Sequence, residues 1–277
     1  MNQRKEGVIA IDNGGHSTGV VTSTLQKLFP SCKGEYTYRP LDSTHGQYDY
    51  IVEVNGSKYF AGTLAQYECE FPIQMHSESK QHIFYDLSIL IACHQFGYQA
   101  NHVITCVPIV MVTPEEKQGI AERLKRDWTV TINGETKVFR IADVKVSPET
   151  VSAFWVKKPE GTVRWVDWGS RTVGFGTTVN DGEAMKFINK DSGTFHGKGL
   201  EAINSSDYNM LANFIAGRLL AKWKPTDKVI HVGGGAKNDK LIEAFNKHFP
   251  NSEIHEQPQL AVAKGLYIMG RGVYDLA

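Results

Sequence analysis

The chain has 277 residues, of which 41% are hydrophobic and 22% charged, and its 30 Lys and Arg balance 30 Asp and Glu. This hydrophobic fraction is too high for a disordered chain, and no apolar run reaches the roughly 18 residues of a membrane-spanning helix. The charges are interspersed and the pI is near 7.1, so the chain lacks the basic face typical of direct nucleic-acid binding. We therefore predict a soluble globular protein of one large or two modest domains.

The cysteines indicate a reducing compartment. Cys32, Cys69, Cys93 and Cys106 are widely spaced and form no CxxC pair. The only apolar run near the N-terminus is residues 8–11, which is too short for the core of a signal peptide. We therefore predict a cytoplasmic protein with free thiols.

The first predicted elements are strands. Residues 8–12 form an apolar run that ends in Asn13-Gly14-Gly15, and residues 20–28 are predicted to return as one strand. Residues 31–85 are rich in Tyr, Gly and short alternating runs, with a turn signal at Asn55-Gly56. This composition predicts a small β-rich insert.

Helical patterns resume after the insert. A helix is predicted over residues 83–96, and a buried strand over residues 103–112 that Pro108 interrupts. The next helix has a capping-box start, because Thr113 can cap it, Pro114 suits its first position and Glu116 completes the T-x-x-E pattern. Its predicted apolar face contains Ile120, Leu124 and Trp128.

The first half of the chain closes with a hairpin and a helix start. Residues 129–141 are predicted to form a hairpin around Asn133-Gly134, and residues 143–146 a further strand. Ser147-Pro148-Glu149 is then predicted to open a helix.

The opening pattern recurs in the second half. Residues 166–170 resemble the end of the first strand and its turn, and a β-rich stretch, 173–179, follows with a turn at 180–182. The later predicted elements are helices at 200–222 and 239–249, a strand at 229–232, and a last helix at 259–269 that ends at Gly270.

The repeated turn is the strongest chemical signal. Asp12-x-Gly14 and Asp167-x-Gly169 each follow a β-branched strand and lie 155 positions apart. Such a turn places a carboxylate beside exposed backbone amides, so it can bind phosphate oxygens while the Asp orients waters of a Mg²⁺ ion. The alternative is that either sequence simply makes a hairpin turn.

A third element is the apolar strand at 229–232, which leads into Gly233-Gly234-Gly235 and Ala236. Three glycines leave room for a base or ribose against the backbone, and a following helix would offer amide donors. Lys237 is followed by Asn238, so the segment is not a Walker A loop. The alternative is a flexible loop.

Ordered along the chain, the segments D-x-G, T-C-V-P, P-E-T, D-x-G and G-G-G resemble the five nucleotide-site elements of the actin, sugar-kinase and heat-shock-chaperone ATPase superfamily. Within it the chain is most similar to the ParM-type plasmid-segregation actins, through the segments 103–108, 143–149, 229–235 and 265–270. The resemblance covers nearly the whole chain.

The resemblance implies an α/β fold, the actin-like duplicated ribonuclease-H-like fold, with two lobes and a nucleotide cleft. Lobe I would span residues 1–152, with the insert at about 31–85, and lobe II residues 153–277. Asp12 and Asp167 would organise Mg²⁺ and phosphate through water, and Glu149 would position or activate the attacking water. The implied nucleotide-binding residues are Asp12, Asn13, Gly14, Gly15, His16, Ser17, Asp167, Gly169, Ser170, Arg171, Lys198, Gly233, Gly234, Gly235 and Ala236.

The chain departs from the family pattern in two places. Only 66 positions separate Asp167 from Gly233, too few for the subdomain, called IIB, that most actins insert there, and this shortening resembles the AlfA branch of segregation actins. Relatives also place a phosphate-binding Lys seven positions after the first Asp, where this chain has Gly19, and Arg171 or Lys198 is the candidate replacement. A more open base pocket predicts weak discrimination between ATP and GTP.

The implied function is nucleotide-dependent polymerisation, with ATP or GTP hydrolysis and segregation of plasmid DNA through a DNA-binding adaptor. The implied partners are further copies of the chain in a polar, bundling filament and that adaptor, without direct nucleic-acid or membrane contact. One alternative is a metabolite kinase similar to the short pantothenate kinases, with Asp86 or Asp143 as candidate base. Another is a nucleotide-bound scaffold without turnover.

Overall fold

The computed structural model describes residues 5–70, 72, 80–202 and 207–275, which form two compact units. The first unit comprises Met1–Cys106, Thr113–Ser147 and Met269–Ala277, and the second comprises Val107–Val112 and Pro148–Ile268. Parts of the predicted insert (71 and 73–79) and of the predicted helix at 200–222 (203–206) lie outside the described residues.

The first unit contains a nine-stranded sheet of order β3-β2-β1-β7-β9-β8-β5-β6-β4. Its strands are β1 (Glu6–Asn13), β2 (Ser17–Val21), β3 (Gln26–Pro30), β4 (Lys33–Glu35), β5 (Asp49–Val54), β6 (Ser57–Gly62), β7 (Ala100–Val107), β8 (Asp127–Ile132) and β9 (Glu135–Pro148). Its helices are α1 (Thr63–Glu68), α2 (Ile83–Phe96) and α3 (Pro114–Leu124). The strands of the insert therefore continue the sheet through β5 and β8.

Two helices of this unit follow their sequence signals. Helix α2 has the predicted bounds, and the Nδ1 atom of His82 accepts a hydrogen bond of 3.3 Å from the backbone N–H of Tyr85. Helix α3 begins as predicted, with Thr113 Oγ1 accepting from the N–H of Glu116 at 3.1 Å. The carboxylate of Glu116 accepts from the backbone N–H of Lys80 at 2.6 Å, which ties α3 to the chain before α2.

Both predicted Asn-Gly hairpins are present. Asn55 and Gly56 have φ angles of 52° and 77°, and Asn133 and Gly134 have φ angles of 51° and 83°. These left-handed conformations are the ones that such two-residue turns require.

Two predictions for the first unit are wrong. Residues 20–28 do not form one strand, because a turn closed by a 3.0 Å hydrogen bond from Thr22 N–H to Leu25 O separates β2 from β3. Trp128 is not on the face of α3 but in β8, where its indole N–H donates to Leu124 O at 2.8 Å.

The second unit contains a six-stranded sheet whose main order is β12-β11-β10-β14-β15, with β13 paired to β11. The strands are β10 (Gly161–Trp168), β11 (Thr172–Asn180), β12 (Met185–Phe187), β13 (Gly193–His196), β14 (Lys228–Val232) and β15 (Ser252–Ile254). The α-helices are α4 (Phe154–Lys157), α5 (Tyr208–Leu219), α6 (Asp239–Asn246) and α7 (Ala261–Tyr274), of which residues 269–274 belong to the first unit. Short 3-10 helices occur at Ile109–Met111, Thr150–Ala153, Asn189–Asp191 and Gly234–Lys237.

The two sheets repeat one topology. The order β3-β2-β1-β7-β9 in the first matches β12-β11-β10-β14-β15 in the second. In each, the first strand pairs antiparallel with the second (β1 with β2, β10 with β11) and parallel with the fourth (β1 with β7, β10 with β14). The structure is therefore an internal duplication, as the repeated turn sequence predicts.

Three helix predictions in the second half need correction. Ser147-Pro148-Glu149 opens a 3-10 helix that leads into the short α4 rather than an α-helix directly. The helix predicted at 200–222 is shorter in the described residues, where α5 spans Tyr208–Leu219. Helix α7 does not end at Gly270 but continues to Tyr274, because Gly270 lets the helix approach Val8 and Ile104, whose side chains would lie 2.8 Å from an added Cβ. None of the helices in the described part of the chain is long and apolar enough to span a lipid bilayer.

Candidate functional site

The Asp12 turn, residues 12–17, connects β1 to β2. Asp12 pairs with Gly19 and Asn13 with Thr18 in the antiparallel register. Gly14 is required at the bend, since a Cβ there would lie 2.9 Å from the carbonyl oxygen of Ser17. The turn therefore depends on close approach of its own backbone.

The Asp12 carboxylate lies at the carboxyl end of two parallel strands. Asp12 is half-buried at the end of β1, and the thiol of Cys106 near the end of β7 donates to its Oδ1 over 3.4 Å. The sequence predicts only a free thiol at Cys106, so this contact was not predicted. The T-C-V-P segment, residues 105–108, could have indicated this contact, because it lies at the end of the strand that pairs with β1.

Hydrogen bonds of Asn13 and Thr18 attach the Asp12 turn to neighbouring parts of the first unit. Asn13 donates through Nδ2 to the carbonyl of Tyr85 in α2 at 3.0 Å. The buried Thr18 hydroxyl lies 2.8 Å from Ser31 Oγ and 3.4 Å from Ser88 Oγ. His16 is exposed, and its carbonyl accepts from the N–H of Ser31 at 2.9 Å. The side chains of Asn13 and Thr18 are thus engaged within the protein.

The Asp167 turn, residues 167–172, repeats this geometry in the second unit. Asp167 pairs with Gly174 and Trp168 with Val173. The N–H of Gly169 donates to both Asp167 O and Thr172 O at 3.1 Å, and a Cβ at Gly169 would lie 2.8 Å from Thr172 O. All of these positions are 155 further along the chain than their counterparts in the Asp12 turn.

A neighbouring segment, residues 199–201, holds the Asp167 turn in place. Its three backbone N–H groups donate to the carbonyl oxygens of Arg171, Gly169 and Ser170, at distances of 3.0, 3.1 and 2.8 Å. The hydroxyl of Ser170 is buried and has no hydrogen-bond partner in the described structure. An unsatisfied hydroxyl in a turn of this kind is suited to an oxyanion ligand.

Lys198 precedes this segment and is exposed. Its Nζ lies 5.1 Å from the ring centroid of Phe214 in α5, at cation–π distance. Arg171 lies within the Asp167 turn itself. Of the two candidates for the missing lysine at Gly19, Arg171 is thus the one inside a turn. The cross-strand partner of each Asp is a glycine, Gly19 in the first unit and Gly174 in the second.

The glycine loop, Gly233–Gly235, lies against the Asp167 turn. Gly233 has φ of 83°, and a Cβ there would overlap Asp167 Oδ1 and lie 2.9 Å from Trp168 O. Gly235 is packed equally closely, since its Cβ would lie 2.6 Å from Leu200 and 2.8 Å from Trp168. Glycine is therefore needed at both positions for contact rather than for flexibility.

A short 3-10 helix lies between the glycine loop and the predicted α-helix. Gly234–Lys237, which includes the buried Ala236, forms a 3-10 helix, and α6 begins only at Asp239, with Asn238 capping it. The first amides after Gly233 therefore belong to a 3-10 turn, and the α-helix that follows begins at residue 239, as the sequence predicts.

A buried hydrogen-bonded chain supports the Asp167 turn. The indole N–H of Trp168 donates to Nδ1 of His231 at 3.0 Å, and Nε2 of His231 lies 3.2 Å from Asn246 Oδ1. These two bonds place the imidazole proton on Nε2. Burial lowers the pKa of His231 to about 4, so the ring is neutral at physiological pH.

Glu149 precedes a strained residue. Its backbone N–H donates to Val107 O at 2.8 Å, and the buried Thr150 has a positive φ of 49°, which is rare for a β-branched residue. Thr150 Oγ1 occupies the space that a Cβ at Gly174 would need, and that Cβ would also be 3.5 Å from Asp167 Cβ. The structure thus brings the Glu149–Thr150 segment next to the strand pair that carries Asp167.

The second unit thus gathers Asp167, Ser170, the glycine loop and the Glu149–Thr150 segment, whereas Asp12 and its turn belong to the first unit. The supporting residues Tyr85, Cys106, Leu200 and His231 were not predicted. Among residues 5–70, 72, 80–202 and 207–275, no group of three or more His, Cys, Asp or Glu could hold a metal ion. The roles of the individual residues remain predictions.

Two sheets of matching order define the class of the fold, the actin-like duplicated ribonuclease-H-like fold. Solved structures share it over nearly the whole chain. A 15-stranded ParM filament from Clostridium botulinum is 16% identical with a TM-score of 0.79, covering 97% of this chain and 100% of that one. AlfA from B. subtilis plasmid pLS32, in a filament structure, is 20% identical with a TM-score of 0.75, covering 94% and 97%. An AlfA filament bound to AMPPNP is 20% identical with a TM-score of 0.73, covering 97% of each chain.

The family follows from the sequence. Residues 10–151 match the model of the N-terminal domain of actin-like proteins, which is about half of the chain. The chain belongs to this family, as its resemblance to the segregation actins predicts. No curated protein sequence matches it.

Proposed function

We propose that this protein is a filament-forming nucleoside triphosphatase that binds and hydrolyses ATP or GTP with Mg²⁺ and segregates plasmid DNA through an adaptor. The coarse part of the proposal, a nucleotide-dependent actin-like protein, is supported by the family and by the fold shared with ParM and AlfA filaments. The AlfA filament bound to AMPPNP supports a triphosphate ligand.

The observation that carries the proposal is the repetition of the turn. Asp12 and Asp167 occupy the same register position in two sheets of the same order, each followed by a glycine in close contact with its own turn. A hairpin needs no carboxylate at this position, whereas a Mg²⁺ ion held through its waters does, and the adjacent backbone amides suit phosphate oxygens. Both turns are therefore proposed to bind the phosphates of the nucleotide.

Each proposed ligand group has a specific task. The backbone amides of residues 13–17 and 170–171 donate to phosphate oxygens, and the buried hydroxyl of Ser170 gains the partner it lacks in the described structure. Arg171 neutralises phosphate charge in place of the lysine absent at Gly19. The glycine loop and Ala236 contact the nucleoside, with Gly234 as the exposed glycine of the loop.

The residues present fit Mg²⁺ held through water. A magnesium ion keeps several waters and takes other ligands from substrate phosphates, so it needs no cluster of three acidic side chains. Asp12 and Asp167 would accept hydrogen bonds from those waters. When bound, Mg²⁺ neutralises charge on the phosphates.

Glu149 is proposed to orient the water that attacks the γ-phosphate. Little covalent chemistry is required of the protein, since catalysis of phosphoryl transfer depends on positioning and on charge stabilisation. The left-handed Thr150 fixes the backbone next to Glu149 relative to the Asp167 strand pair. Strained backbone of this kind is concentrated at functional sites.

The filament is proposed to form by head-to-tail contacts between copies of the chain. Such contacts are heterologous and do not close, and a stable one buries on the order of 1,000 Å² in total. Residues 220–227 alone connect α5 to β14, which supports the absence of subdomain IIB. We expect lateral association of strands to compensate for the lost surface, seen as bundles by electron microscopy.

The deciding experiment is sedimentation of the protein with and without Mg²⁺-ATP or Mg²⁺-GTP, together with phosphate release. We expect nucleotide-dependent pelleting and turnover that rises cooperatively with protein concentration. Asp12→Ala and Asp167→Ala should lose both, whereas Asp181→Ala, an exposed turn carboxylate, should keep both. Turnover that requires a second small substrate would instead indicate a kinase, and binding without turnover a scaffold.

Glu149→Ala separates assembly from hydrolysis. We expect filaments to form while phosphate release slows by about 100-fold or more, the usual contribution of a positioned general base. Unchanged phosphate release would remove Glu149 from the reaction.

A further inference from the structure

A cavity of about 510 Å³ lies at the surface of the first unit, between β8 and the hairpin formed by β5 and β6. The buried Val54 and Trp128 contribute its apolar part, and the exposed Lys58, Arg126 and Asp127 also line it. Its volume is in the range of pockets that enclose organic ligands. No candidate-site residue is among its described lining residues, so it is separate from the turns and the glycine loop.

The cavity exists because β5 separates from β8. The two strands pair at only two positions, Val52 with Ile132 and Glu53 with Thr131, after which β5 ends in the turn to β6. Strand β8 continues over residues 127–130, where β9 is its partner on the other side. The first part of β8 therefore has an open edge that faces the cavity.

The hydrogen-bond pattern shows which backbone groups lie at this edge. In an antiparallel sheet, successive residues of a strand bond alternately to its two neighbours. Arg126 O accepts from the N–H of Ile141 in β9 at 3.0 Å, so the even-numbered residues of β8 bond to β9. The N–H and C=O groups of Asp127 and Thr129 therefore face the other side, where no strand of the described residues pairs with them. We call these two residues the β8 edge.

Arg126 lies beside the β8 edge. Its guanidinium carbon is 3.8 Å from the ring centroid of Trp128, at cation–π distance. The side chain is exposed and has no hydrogen bond or ion pair with any residue that the structure describes, whereas Lys58 is paired with Glu53 at 2.8 Å. A guanidinium stacked on an aromatic ring keeps its N–H groups available for bidentate binding of a carboxylate. The cavity thus contains a positioned cation without a carboxylate partner.

These features favour an extended peptide as the ligand. Backbone groups two residues apart on a strand repeat about every 6.8 Å, and another extended backbone has the same spacing. The cavity is lined by two acidic and two basic side chains, Glu53, Asp127, Lys58 and Arg126, so it has no excess of positive charge for nucleic acid. Arg126 adds a preference for an acidic side chain in the peptide.

We propose that the β8 edge is a docking site for an extended acidic segment of a partner protein. The segment adds to the sheet as a strand in the gap beside β5 and places one Asp or Glu side chain against Arg126. Backbone hydrogen bonds to Asp127 and Thr129 provide affinity, and Arg126 provides selectivity. The inference does not depend on nucleotide binding, because the candidate site contributes no residue to it.

The probe is a library of short random peptides displayed on phage and selected against the full-length protein. We expect the selected peptides to carry an Asp or Glu among alternating β-branched residues. Their dissociation constants, measured by fluorescence anisotropy with synthetic peptides, should rise about 10-fold or more in Arg126→Gln, the effect of losing a hydrogen bond to a charged group. Arg218→Gln is the matched control, because Arg218 also lies over an aromatic ring, 5.5 Å from Phe214, but in the second unit. It should leave the dissociation constants unchanged.

Backbone methylation of the selected peptides tests strand addition without any change to the protein. A bound strand turns every second N–H toward its neighbour, so methylation should abolish binding at alternate positions and leave it unchanged at the positions between them. A selection that yields no binder, peptides without an acidic residue, or unchanged affinity of all peptides for Arg126→Gln would overturn the inference. Equal loss at every methylated position would overturn it as well. Nucleotide-independent self-association that Arg126→Gln abolishes would assign the β8 edge to a second copy of the chain and overturn the proposed partner.

Discussion

The Asp12 and Asp167 turns have the same strand register, but the side chains that pack beside them differ. The residue after each Asp pairs across the hairpin with the second residue of the returning strand, as Asn13 with Thr18 and Trp168 with Val173. In the first unit this pair is polar and its hydrogen bonds extend to Tyr85, Ser31 and Ser88. In the second it is apolar and belongs to the core around α5 and α6.

The difference indicates what the turn itself requires. The Asp, the glycine two positions later and the glycine across the strand are present in both copies. The cross-strand pair next to the Asp is polar in one copy and apolar in the other. A buried polar pair is stable only when all its groups are satisfied, and an apolar pair only when it is well packed. We therefore expect substitutions in the two pairs to lower the free energy of unfolding for different reasons.

The largest effect is expected for Trp168→Ala. It removes a fully buried indole from the core of the second unit and should lower the free energy of unfolding by about 3–5 kcal/mol. Trp168→Phe keeps most of the volume but loses the hydrogen bond to His231, and should cost about 1–2 kcal/mol. Urea titration followed by the fluorescence of Trp165 and Trp223 measures both, and equal costs would contradict the packing role of the indole.

The second prediction concerns pH. The pKa of His231 is lowered by burial to about 4, whereas in the unfolded chain it is near 6.5. Between these values the unfolded chain binds a proton that the folded chain does not, so stability is present above pH 6.5 and is lost as pH falls toward 4. The loss is on the order of 3 kcal/mol.

His231→Gln isolates this contribution. Other histidines, such as His94 and His255, also have a lowered pKa because of burial and weaken the protein at low pH in the same direction. The measurement is therefore the difference between parent and variant in urea midpoints from pH 7.5 to 4.5. Parallel pH profiles would contradict a neutral, buried His231.

The smallest effects on the free energy of unfolding are expected when Thr18 and Val173 each take the type of side chain found in the other turn. Thr18→Val should cost about 1–2 kcal/mol, because the hydroxyls of Ser31 and Ser88 lose their shared partner. Val173→Thr should cost a similar amount for the opposite reason, since it buries a hydroxyl in an apolar core. Thr131→Val in an exposed hairpin is the control and should change stability by less than about 0.5 kcal/mol. An unchanged free energy of unfolding in either variant would show that a polar and an apolar side chain serve equally well at that position.

The parts of the fold that depend on neighbouring residues could be predicted from the sequence. The capping box of α3, the two Asn-Gly hairpins and the bounds of α2 follow from local preferences of the backbone. The duplication could be predicted as well, because the repeated turn recurs with one offset. Local signals failed where a distant contact decided the outcome, as at Gly270, which allows close packing against Val8 and Ile104 instead of ending α7.

The turns of the candidate site could be predicted from the sequence, but the residues that contact them could not. Asp-x-Gly and the three glycines are visible as motifs, whereas the thiol of Cys106 reaches Asp12 across 94 positions of the chain. Nor does the sequence indicate that Gly233 and Gly235 are in contact with Asp167, Trp168 and Leu200. Such partners are fixed by strand order, which only the complete sheet determines.

Thr150 and Gly174 have a consequence for how the sequence can vary. The hydroxyl of Thr150, on a backbone that favours glycine, occupies the volume where any larger residue at 174 would place its Cβ. A larger residue at 174 is therefore penalised while 150 is threonine, and is tolerated when 150 is glycine. Among relatives we expect these two sites to covary, with alanine at 174 found where 150 is glycine.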